Sequence, residues 1–170
     1  MRADWHGTWV GLLCIGHIAL LPALFALVWW DQRSHRLPDA LTLPALLLSQ
    51  LGVMALAHYY GNAGVLERAG YGLALAVGVF WLLAEAPGAP MGFGDVKLAA
   101  VLGLHVGAHD PGAVVAWIGL AFVVGGAHSG WLMGRGILGP RDHLAFGPHM
   151  VIAWCVVVAT MSGNFWESIT

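Results

Sequence analysis

The chain has 170 residues, 59% of them hydrophobic and 9% charged, with a mean hydropathy of +0.76 and a net charge of −2. A soluble domain carries about 25% charged residues, so this composition excludes a compact body in water and predicts a single-domain, all-α membrane protein spanning 1–170. No basic cluster is present, which gives no reason to expect nucleic acid as a partner.

A helix needs about 20 apolar residues to cross the hydrocarbon core. In chain order, the apolar runs predict six spans: Thr8–Trp30, Ala40–Tyr60, Ala69–Ala86, Val96–His109, Gly112–Met133 and Pro148–Gly163. The first run is too long for a signal peptide, and Trp29-Trp30-Asp31 offers no small-residue cleavage site. The fourth is short, about 21 Å at 1.5 Å per residue, and would have to tilt little, thin the bilayer or begin below the surface. Turn formers mark the connections: Leu37-Pro38-Asp39, Gly61-Asn62, Pro87-Gly88-Ala89-Pro90, Asp110-Pro111-Gly112 and Gly139-Pro140. Trp5, Trp29, Trp30, Trp131 and Trp166 fall near span ends, where indoles sit well among headgroups. Cys14 and Cys155 lie inside apolar runs, without CxxC spacing, and are read as buried and inert. Gly72, Gly78, Gly125, Gly126 and Gly130 are read as sites of close helix packing.

The Lys and Arg residues predict the orientation. Arg33, Arg36, Arg135, Arg141 and Lys97 lie at or beside the odd connections, whereas Arg2 and Arg68 lie on the other side beside Asp4 and Glu67. By the positive-inside rule the odd connections are cytoplasmic and both termini face outward. The expected location is thus the plasma membrane, crossed several times.

Acidic groups near a bilayer are costly, so each calls for an explanation. Asp31 closes the first span and Asp95 opens the fourth, both on the cytoplasmic side of this topology. Either each ends a helix in headgroup water, or the two meet in one site. Two adjacent carboxylates do not ionise together easily, so such a pair supplies both a base for water and an acid for a leaving amine. That chemistry needs no metal and no cofactor. Asp95 lies in Gly92-Phe93-Gly94-Asp95-Val96-Lys97, where glycines let backbone or substrate come close. Lys97 either biases the local field or snorkels to headgroups.

Three segments together resemble the type IV prepilin peptidase family, membrane aspartic peptidases with a GxGD motif. Asp31 followed by Leu37-Pro38-Asp39 resembles the first motif, Gly92 to Lys97 the GxGDxK motif, and Phe146-Gly147-Pro148 a late Phe-Gly-Pro element. The resemblance implies an endopeptidase that cuts the basic leader from prepilin-like precursors, before their hydrophobic helix, at the cytoplasmic face. It places the catalytic aspartates at Asp31 and Asp95. Larger relatives carry a domain with paired CxxC motifs, linked to N-methylation; this chain is expected to be a short form without it.

Other residues receive weaker roles. Asp39 is expected to cap the second span, and Asp142 to cap the last or lie in solvent. Glu85 either contacts a basic leader or reaches the interface. His35 is read as a loop residue, and His105, His109 and Asp110 as structural, since no third firm ligand accompanies the two histidines. Two rival readings remain: a presenilin-like peptidase that cuts within membrane helices, and a small transporter or channel subunit. A transporter would place its polar groups near the bilayer midplane in broken helices, whereas the acids here gather at one face. Nothing in the sequence specifies an oligomer.

Overall fold

The computed structural model describes residues 39–87, 91–137, 139 and 145–167. Among them, all regular structure is helical: α1 (Asp39–Tyr60), α2 (Gly64–Ala84), α3 (Phe93–His109), α4 (Pro111–Gly134) and α5 (Gly147–Glu167). The expected first span, with Asp31, His35 and Cys14, lies outside the described residues, as does Asp142. Two helices, α2 and α4, are long and apolar enough to cross a membrane; Pro44–Ala55 and Gly147–Met161 are shorter apolar stretches.

The connections follow from local chemistry. Gly61, at φ +66°, ends α1: its N–H donates to the His58 carbonyl, and the Asn62 N–H donates to the Ala57 carbonyl. This pair of bonds satisfies carbonyls that the helix end would leave open. Gly136, at φ +69°, ends α4 in the same way, with bonds to Met133 and Leu132. Asp110 starts α4 by accepting the Gly112 N–H at 2.9 Å, with Pro111 in the first turn. α2 begins at Gly64, five residues before the apolar run expected at Ala69, through the Gly64 N–H to Asn62 Oδ1 contact of 3.1 Å. Hydropathy marks where apolar surroundings start; the helix starts earlier because Glu67 and Arg68 are compatible with helical backbone.

The core is built around α3. Asp95, Val96 and every residue from Leu98 to Ala108 are buried, and α3 packs against all four of the other helices. The apolar run expected as a short fourth span is thus enclosed in protein, within a helix that begins three residues earlier, at Phe93. Its tightest neighbour is α2. A Cβ at Gly72 would collide with the Gly103 carbonyl and stand 2.6 Å from Gly107 Cα, while a Cβ at Gly107 would lie 2.8 Å from the Arg68 carbonyl. The two backbones thus touch directly, antiparallel, through small residues spaced four apart on α3.

The outer surface is apolar. Leu47, Leu48, Leu82, Val115, Val123 and Ile137 are each more than half exposed. Two expectations are corrected here. Cys155 is on this outer face of α5 rather than buried, because a mostly apolar helix does not declare which side faces inward. Gly72 and Gly125 do admit close neighbours, but Gly78, Gly126 and Gly130 face open space.

Candidate active site

The antiparallel packing of α2 on α3 sets the C-terminal end of α2 beside the N-terminal end of α3. Trp81 meets Phe93 edge to face at 5.9 Å between centroids. Phe146, just before α5, joins the same end through Phe80 at 6.1 Å and Phe122 at 5.1 Å. The GxGDxK segment and the Phe-Gly-Pro element, some fifty residues apart in the sequence, are therefore brought to one end of the bundle.

Asp95 lies in the first turn of α3. Gly92, extended at φ −79° and ψ 150°, is the N-cap, and its carbonyl accepts the Asp95 N–H at 3.1 Å. The Asp95 carboxylate folds back toward that cap: a Cβ at Gly92 would stand 3.9 Å from Asp95 Oδ2. This is ordinary contact, so the access expected from Gly92 does not depend on the absence of a methyl group there. The helix N-terminus favours negative charge at this position. Asp95 is 8% exposed. By contrast, Glu67, Glu85 and Asp110 are exposed, so Asp95 is the one buried acid among the described side chains. Taking a carboxylate out of water is expensive unless its surroundings compensate.

The other expected site residues divide. Lys97 is half-buried on α3, and Gly94 is half-buried beside Asp95. Two residues apart on a helix, Asp95 and Lys97 project from different faces. Gly147 is buried and Pro148 half-buried in the first turn of α5. Glu85 is exposed at the end of α2, its N–H donating to the Trp81 carbonyl at 2.9 Å. Asp31 lies outside the described residues, and so does the side chain of Asp39, which opens α1. At the opposite end, Asp110 is engaged in capping α4 and His105 Nδ1 stands 2.9 Å from the Val101 carbonyl.

Residues 18–163 match the family model described as the type IV leader peptidase family. The chain belongs to that family. It is also 34% identical over 146 residues to the prepilin leader peptidase/N-methyltransferase of Xanthomonas campestris pv. campestris, an alignment covering 84% of this chain and 48% of that one. The chain thus spans about half the length of this relative. No solved structure matches. The family match includes both Asp31 and Asp95, as well as the late Phe146-Gly147-Pro148 element.

One feature of this end carries no signal in the sequence. His128 and His149, on α4 and α5, form a hydrogen-bonded pair beside Phe146. Each lies alone in an apolar stretch, and no local spacing connects them.

Proposed function

We propose that the chain is a membrane-embedded aspartic endopeptidase that removes the leader of prepilin-like precursors at the cytoplasmic face. Membership of the family supports the reaction class, and the observation that carries the reading is the buried Asp95 carboxylate at the bundle end shared with Phe146. Asp31 is its catalytic partner. One carboxylate takes a proton from water as that water attacks the scissile carbonyl, and the other, protonated, donates to the departing amine. Glu85, exposed at the same end, meets the basic leader. Gly92, Gly94, Phe146, Gly147 and Pro148 shape the site, and Lys97 adds positive charge near it.

The bilayer provides the rest of the setting. The exposed apolar surface of α1, α2, α4 and α5 is suited to lipid, and about six helices span the membrane in the full arrangement. Lys97 and Arg135 lie at the Asp95 end, which supports its cytoplasmic placement. Reporter fusions are therefore expected to place the 31–39 segment inside the cell and both termini outside. A reporter showing that segment outside would sink the orientation together with the site.

The direct test uses membranes containing the full chain and a precursor with a basic leader followed by a hydrophobic helix. The expected result is a shortened product, formed at an unchanged rate in the presence of a strong chelator, because the proton transfers require carboxylates alone. Loss of cleavage in chelator, restored by zinc, would overturn the two-aspartate chemistry. Failure to cut any such precursor would overturn the function.

A further inference from the structure

Two histidines distant in sequence meet at the end of the bundle that carries Asp95. His128 is near the end of α4, and His149 is in the first turn of α5. Their rings lie 5.1 Å apart between centroids, with His128 Nδ1 2.8 Å from His149 Nε2. At that distance one nitrogen carries the hydrogen and the other presents a lone pair. His149 is buried, at 4% exposure, while His128 is open on its outer side.

α4 is shaped to receive this part of α5. Gly125 lies one turn before His128, and a Cβ there would come within 2.8 Å of Phe146 Cε2 and 3.6 Å of His149 Cγ. The missing side chain makes a notch that the Phe146 ring fills. Further along, Trp117 Nε1–H donates to the Met150 carbonyl at 2.9 Å. The Phe146 carbonyl accepts the N–H groups of His149 and Met150 at 3.0 and 3.2 Å, closing the first turn of α5. On the outer side, Trp131 stacks against His128 at 6.2 Å, and the Arg135 guanidinium lies 4.4 Å over Trp131. Gly147 and Pro148 are thus held between two residues, Phe146 and His149, that are both fastened to α4.

We propose that His128 and His149 are positioning residues whose hydrogen bond sets where the Phe146-Gly147-Pro148 turn stands relative to Asp95, and so how the substrate main chain meets the carboxylates. The inference rests on the peptidase function proposed above. Apolar side chains of similar size would fill the same volume without the cost of burying a polar ring. What the hydrogen bond adds is direction. It fixes the rotation of α5 against α4, which dispersion contacts alone leave loose.

The test compares the full-length wild type with His128→Leu, which keeps bulk but removes the bond, and His128→Asn, whose amide stands near the place of Nδ1. In membranes, His128→Leu is expected to lower kcat for precursor cleavage about tenfold, equal to ~1.4 kcal/mol on the barrier, with KM little changed. His128→Asn is expected to recover to within about threefold of the wild type. In detergent, trypsin cleavage between α4 and α5, after Arg135 or Arg141, is expected to be several times faster in His128→Leu than in the other two chains. Unchanged kcat in His128→Leu, or equal impairment of both variants, would overturn the proposal. A wild type that cuts no precursor would instead overturn the function above. The trypsin comparison would then decide alone, with equal rates in all three chains refuting the positioning role of the histidine pair.

Discussion

Asp95→Asn is expected to reduce precursor cleavage by at least about a thousandfold, the scale at which positioned acid–base groups act. Asparagine keeps the size and polarity of the side chain, so the first turn of α3 and its Gly92 cap remain intact. It cannot take up or release the proton that the cycle requires. Asp31→Asn is expected to fail equally, because a dyad with one carboxylate lacks either the base or the acid. Asp39→Asn, in the first turn of α1, is expected to retain most activity, since losing a negative charge there weakens a helix by only about 0.3–1 kcal/mol. The measurement is precursor processing in membranes at matched protein levels. Cleavage surviving in Asp31→Asn or Asp95→Asn would show that the dyad is misassigned. Loss confined to Asp39→Asn would identify Asp39 as the partner of Asp95.

The second large effect concerns the fold. Gly72→Leu is expected to destabilise the bundle by about 3 kcal/mol or more, the upper end of overpacking in a well-packed core. The obstacles to a side chain at Gly72 are backbone atoms, the Gly103 carbonyl and Gly107 Cα. Backbone cannot swing aside as a rotamer does, so α2 and α3 would have to separate along their length. Gly126→Val serves as the control: that position faces open space, and the expected change is within about 0.5 kcal/mol, as for surface sites generally. Thermal unfolding in detergent distinguishes the two. A melting temperature for Gly72→Leu matching that of Gly126→Val would refute the close α2–α3 contact.

The contrast between these glycines shows what the sequence could and could not reveal. Among the described residues, helix ends were legible to within five residues, because long apolar runs and Gly, Pro and Asp punctuation are local signals. The Asp95 segment was legible too, as an acid where apolar surroundings make acids expensive. Facing was not. In a soluble helix the polar side points outward, but here the exposed Val123 and the buried Ala121 belong to the same apolar stretch of α4. Gly126 and Gly130 were read as packing sites, yet the α2–α3 contact belongs to Gly103 and Gly107, whose partner Gly72 is chosen by the crossing of α2 and α3. His128 and His149 were invisible for a related reason: their meeting requires knowing that α4 and α5 run antiparallel with these faces together.

The enclosure of α3 has a further consequence for the membrane setting proposed here. A lipid-facing helix settles at a depth dictated by the match between its apolar length and the acyl chains around it. α3, buried from Leu98 to Ala108, is shielded from that influence. Thicker or thinner bilayers load the perimeter, chiefly the long helices α2 and α4, which can tilt in response. The height of Asp95 relative to Phe80 and Phe146 is held by contacts such as Gly72 on Gly107 and the aromatic cluster at the bundle end. The carboxylate thus keeps its register with Phe80 and Phe146 by protein geometry, and in that setting lipid composition governs how the helices sit together in the bilayer rather than how these side chains align.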